Sequence, residues 1–109
     1  MGKRKACGRS MNLADAAKKS YTDLIKLLFD AQSDLELAII RRLMQLYKGN
    51  DDGIKLAEEI ANLESVLYLL IKTRLQLQAA HRIGQDTYRA VAELMQEPLR
   101  KIDTALKHL

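Results

Sequence analysis

Tryptophan is absent from these 109 residues, and cysteine, proline and phenylalanine occur once each. The lone Cys7 sits in a polar N-terminal stretch, which excludes an intramolecular disulfide and a cysteine-based metal cluster. With only five glycines and one proline, and with 48% hydrophobic and 29% charged residues, the composition is neither low-complexity nor that of a disordered chain. Long apolar runs are missing too. The longest is VLYLLI, residues 66–71, far below the roughly 20 residues that cross a bilayer. No apolar signal-peptide core follows the charged N-terminus, so the expected location is the cytoplasm, with at most a peripheral association with membrane. Length and composition together describe one small helical domain.

The formal charge of +4 is unevenly spread. Lys3, Arg4, Lys5, Arg9, Lys18 and Lys19 face Asp15 alone within the first 20 residues, whereas the remainder carries 12 basic and 13 acidic groups. Residues 1–11 therefore read as a basic flexible tail on a nearly neutral body. Such a tail is either a solvated end or an electrostatic grip on a polyanion, and it suits anionic lipid headgroups and nucleic-acid phosphates equally.

Apolar residues at Ala17, Tyr21, Leu24, Leu28, Ala31, Leu35, Ile39, Leu43 and Leu46 recur in steps of three and four, which predicts one long helix over residues 12–48. Gly49 can end that helix in the left-handed conformation, and Asp51 or Asp52 can cap the next. A second helix is expected over residues 52–83, meeting the first through Leu56, Ile60, Leu63, Leu67 and Leu70. The short connection forces the two antiparallel, in a hairpin about 45–55 Å long at 1.5 Å per residue. Gly84 is either a helix end or a joint. Shorter helices follow over residues 86–96 and 98–108, with Pro98 opening the last, so the fold class is all-α over residues 12–109.

A surface helix normally presents three or four apolar positions per two turns, and six consecutive ones exceed that. Val66, Tyr68 and Leu69 project away from the seam of the hairpin, and Leu27, Phe29, Leu37 and Ile40 repeat the surplus on the first helix. Either the shorter helices fold back to cover these side chains, or further copies of the chain or a partner protein do. Self-association is the sharper reading and makes these seven residues a self-assembly surface.

Residues 49–98, GNDDGIKLAEEIANLESVLYLLIKTRLQLQAAHRIGQDTYRAVAELMQEP, resemble the core of the ESCRT-III superfamily, in particular the archaeal cell-division branch called CdvB-like. The resemblance rests on an ordered set: the Gly/Asp turn, Ala57-Glu58-Glu59-Ile60-Ala61 with Leu63, then Val66 and the apolar run, Leu75 with Leu77, Arg82-Ile83, and Pro98. It implies a helical hairpin with shorter following helices that switches between closed and open forms and polymerises into filaments on membranes, as in cytokinesis or vesicle budding. By position it implies lipid contact at Lys3, Arg4, Lys5, Arg9, Lys18 and Lys19, packing between subunits through the surplus apolar residues, and a hinge at Gly84. The chain ends at Leu109, short of the acidic helix and ATPase-recruiting motif that many members carry. A link to a AAA ATPase is therefore expected only indirectly, through copolymerisation with longer paralogous subunits.

Catalytic constellations are thin. Arg41, Arg42, Lys48 and Arg74 are raw material for a cationic pocket of the chorismate mutase kind, yet adjacent arginines on a helix point about 100° apart and no arginine, lysine and glutamate set converges. His81 and His108 have no carboxylate at metal-ligand spacing, and the paired acids Asp51-Asp52 and Glu58-Glu59 fall where a helix N-terminus favours negative charge. No glycine-rich phosphate loop is present, and Ser10, Ser20, Ser33 and Ser65 have no positioned base. The expectation is a non-enzyme without cofactor or metal. Its partners would be copies of itself and an anionic membrane, or alternatively, as a small helical ribonucleoprotein-associated subunit, nucleic acid.

Overall fold

The computed structural model describes residues 11–49 and 52–109. They form α1 (Leu13–Lys19), α2 (Tyr21–Lys48), α3 (Gly53–Ile83), α4 (Gln85–Leu94) and α5 (Gln96–Lys107), an all-α arrangement. Of the residues singled out above, Lys3, Arg4, Lys5, Cys7, Arg9, Ser10 and Asp51 lie outside the described residues.

The hairpin of α2 and α3 forms as its turn chemistry requires. Gly49 takes φ 74°, where its missing Cβ avoids a steric cost, and its N–H closes the last turn onto the Gln45 and Leu46 carbonyls. Asp52 then accepts from the N–H groups of Ile54 and Lys55, satisfying donors that the first turn of α3 cannot pair internally. The longest extent is 52 Å, within the length expected of the hairpin, and the shortest is 18 Å. At interaxial spacings of about 8–10 Å, that thickness holds two layers of helix and no third.

The expected single helix over residues 12–48 is two helices. Ser20 leaves helical geometry at φ −154°, ψ 111° and its hydroxyl accepts from the Asp23 N–H, so a serine cap starts α2 afresh. Released from the axis of α2, α1 lies across α4 and α5. Three polar contacts hold it along its length. The Asp103 carboxylate accepts from the Leu13 and Ala14 N–H groups at 3.0 and 3.2 Å; the Gln96 amide donates to the Ala14 carbonyl at 2.9 Å; and the Tyr88 hydroxyl donates to the Ala17 carbonyl at 2.9 Å. Burial pushes the Tyr88 phenol above its ordinary pKa, with Tyr21 adding to the effect, so the donating, protonated form persists to higher pH than in a free phenol.

These contacts close a core around Leu24, Leu28, Leu35, Leu70, Leu77 and Leu99, none of which reaches solvent. Each such leucine contributes about 2–5 kcal/mol relative to alanine. The apolar surplus of residues 66–71 is explained in large part by the place of α3, which packs against α2, α4 and α5 and therefore buries more than one side. Leu70 is fully enclosed, Val66, Leu67, Leu69 and Ile71 are half-buried against the core, and Tyr68 points to solvent.

Gly84 separates α3 from α4 in an extended conformation that any residue adopts, and its N–H still bonds the Ala80 carbonyl. The last helix begins at Gln96 rather than Pro98, which places the proline inside the first turn, where its missing N–H costs nothing.

Candidate self-association surface

Among the described residues, the two layers leave one broad side of the hairpin uncovered. On α2, Phe29 and Tyr47 are 18 residues apart, five turns at 3.6 residues each, and so point in the same direction; Ile40 lies within about 20° of that line. Leu43 and Met44 flank it, completing an i, i+3, i+4, i+7 stripe from Ile40 to Tyr47. These five side chains stand 45–93% exposed, Tyr47 most of all. Ile40, Leu43, Met44 and Tyr47, with Lys48 at the edge, line an open apolar hollow of about 410 Å³.

Toward the other end of the same side lies a cation. Arg74 of α3 reaches across to α2, with its guanidinium carbon 4.5 Å from the Phe29 ring centroid. One terminal nitrogen donates to the Gln78 side-chain oxygen and the other to that of Gln32, both at 3.2 Å. The Gln32 amide in turn donates to Glu36 at 3.4 Å, so the carboxylate touches the arginine only through a neutral intermediary. The Arg74 Nε is buried without a partner, and among the described residues no carboxylate lies within ion-pairing distance of this guanidinium. Glutamines and an aromatic face hold the group in one geometry without neutralising it.

The residues expected to assemble are split among four places. Phe29 and Ile40 belong to the uncovered side just described. Tyr68 is 67% exposed at the outer edge of α3, with Lys72 over its ring at 5.4 Å. Leu37 is exposed too, but it borders a different cleft, between α2 and the end of α5, with Arg41, Arg42, Leu106 and Leu109. Leu27, Val66 and Leu69 are half-buried against the chain's own core, so the subunit itself supplies much of their cover. Met44, Tyr47 and Arg74 are not among the residues the sequence marks for assembly, and Leu43, which marks only the helical spacing, is 45% exposed. The i, i+3, i+4, i+7 stripe from Ile40 to Tyr47 is the signal that identifies Leu43, Met44 and Tyr47; no such signal marks Arg74.

Lys18 and Lys19 are exposed in the last turn of α1. They border a cleft of about 340 Å³ with Arg89, His81 and Tyr21, a basic rim at the end of the hairpin remote from its turn. Tyr21 and His81 stack there at 3.7 Å, and Tyr88 meets both edge-on. The cationic residues weighed as a catalytic set are scattered. Arg42 pairs with Glu59 at 3.1 Å and Arg41 borders the cleft with Leu37, while Arg74 packs on Phe29 and the two glutamines. Among the described residues no group of three or more histidine, cysteine or acidic side chains is placed to hold a metal ion, and no helix is long and apolar enough to cross a membrane. No known protein family, curated protein or solved structure matches this chain.

Proposed function

We propose that this protein is a non-catalytic helical scaffold that assembles with further copies of itself on anionic membranes, a membrane-remodelling subunit in the manner of ESCRT-III. The observation that carries the reading is the uncovered side of the hairpin. Five large apolar side chains and an un-neutralised arginine occupy one contiguous direction of a molecule only two helices thick. Apolar patches of this kind mark association surfaces. Supporting the membrane as the place of assembly are the basic residues at the N-terminus, the exposed Lys18 and Lys19, and the family resemblance of residues 49–98. Each lysine or arginine near an anionic bilayer contributes about 1 kcal/mol, enough for several to hold a small protein there. The described chain, with α1 fastened across α4 and α5, corresponds on this reading to the closed form, and Gly84 is the point where α3 and α4 would straighten into one rod.

Electron microscopy of the purified protein with and without phosphatidylserine vesicles tests the reading, together with cosedimentation after deletion of residues 1–9. Filaments or tubulated vesicles that depend on anionic lipid and on those residues are expected. A compact monomer, inert toward every vesicle, would overturn it. Salt-steep binding to any nucleic-acid duplex, with vesicles failing to compete, would replace the membrane with nucleic acid as the polyanion.

A further inference from the structure

We propose that two copies of the chain close on each other as an antiparallel two-fold dimer, in which Tyr47 of each copy covers the Phe29–Arg74 shelf of the other. The inference rests on the open side of the hairpin being an association surface, and it names which copy-to-copy contact fills it. Phe29 and Tyr47 point in the same direction and lie equidistant from Ala38, nine residues on either side. A two-fold axis crossing α2 at the level of Ala38 therefore brings each Tyr47 onto the other copy's Phe29. The same operation sets Ile40 against the aliphatic stem of Glu36.

Chemistry favours that occupant. One face of the Arg74 guanidinium already lies on Phe29, and among the described residues no carboxylate pairs with it. A second aromatic ring on its other face is a good partner for a cation held by neutral amides, and Tyr47, 93% exposed on its own subunit, is the most accessible large apolar side chain described. The exposed parts of Phe29, Ile40, Leu43, Met44 and Tyr47 amount to an area on the order of 600 Å² per copy, approaching the ~800 Å² per partner of a stable interface once the neighbouring polar rim is included. A two-fold contact is self-limiting because each copy's patch is consumed by the other. Any filament must then grow from dimers through a different surface.

The test uses the absence of tryptophan. Tyr47→Trp introduces the protein's single indole, excited selectively over the tyrosines, at the centre of the contact, where the larger ring still stacks on a guanidinium. Sedimentation velocity of the full chain should show a dimer that dissociates on dilution. The emission of the Tyr47→Trp protein should shift to the blue over the same concentration range. Tyr47→Ser should weaken dimerisation at least tenfold with the helical circular dichroism unchanged, since the side chain makes few contacts in the monomer. Arg74→Gln in the Tyr47→Trp background should reduce both the dimer and the blue shift. A folded monomer at all concentrations, or a dimer in which the emission stays that of exposed tryptophan, overturns the proposal. Dimers of this kind that form no polymer on anionic vesicles would leave the contact standing and sink the membrane reading; vesicle-bound polymers of the Tyr47→Trp protein whose emission stays that of an exposed indole would do the reverse.

Discussion

The two broad sides of the α2–α3 hairpin are built from the same two helices and differ in what lies on them. On the covered side, Leu24, Leu28, Leu35, Leu70 and Leu77 reach zero exposure because α1, α4 and α5 are packed over them. On the other, Ile40, Met44 and Tyr47 remain more than half exposed although they too are large and mainly apolar. Hydrophobicity alone therefore does not decide which residues form the core. The deciding factor is where the short helices are tied, and the ties are polar: Asp103, Gln96 and Tyr88 fix α1 across the covered side through backbone groups 71 to 90 residues away in sequence.

Substitutions can sharpen this contrast. The largest effect is expected on the covered side: Leu77→Ala or Leu70→Ala should lower the unfolding free energy by about 2–5 kcal/mol in urea titrations, the cost of a cavity in a closed core. The equivalent change on the open side, Met44→Ser, should alter monomer stability by only about 0.5 kcal/mol. Equal losses at Leu77 and Met44 would break the distinction between the two sides.

Next in size are the ties of α1. Asp103→Ala removes acceptors from two N–H groups at the start of that helix and should cost about 1–2 kcal/mol, the range for losing a cap. Hydrogen exchange at Leu13 and Ala14 should accelerate while amides in the middle of α3 keep their protection. Loss of protection everywhere at once would mean that α1 is not a separable unit.

Tyr88→Phe should cost about 0.5–1.5 kcal/mol at neutral pH, the net worth of one hydrogen bond. It also carries a pH signature. Because burial raises the folded pKa of this phenol above the unfolded value, the folded state holds its proton more tightly, so the stabilisation is fully present at neutral pH and is lost as pH rises from about 10 through the folded pKa. The Tyr88→Phe protein should lack that part of the alkaline decline. The smallest effect is expected at Gly84, where a Cβ meets nothing within 4 Å and the backbone is extended; Gly84→Ala should fold with stability changed by about 0.5 kcal/mol or less.

Much of the fold is legible in the sequence because it is set locally. Gly49 and Asp52 announce the turn, and the hairpin and the order of the helices follow from spacing. The break at Ser20 escaped because apolar spacing runs on through it, from Ala17 to Tyr21 and Leu24, and a one-residue cap leaves no mark on a 3.6-residue period. The Ser20–Asp23 pair was the local clue. What turns α1 aside is long-range: a carboxylate, an amide and a hydroxyl from the last quarter of the chain, none of which stands out as a motif. The open side was half legible. The surplus of apolar residues was visible, but its distribution was not, since Val66 and Leu69 reach cover only because α3 occupies the centre of the packing, while Leu43 stays exposed on the open side. Arg74 illustrates the limit most plainly: its residue type suggested a charged pocket, and only the placement of Phe29, Gln32 and Gln78 shows a cation fixed against an aromatic ring.

That the open side is sheltered by another molecule can be read directly by hydroxyl-radical footprinting of Met44 and Tyr47 across a wide range of protein concentration, with buried Tyr88 and exposed Leu94 as internal references. With reactivity normalised for residue type, both should be as accessible as Leu94 in dilute solution and fall toward the protection of Tyr88 as concentration rises or anionic vesicles are added. Reactivity that stays high under every condition would contradict the account.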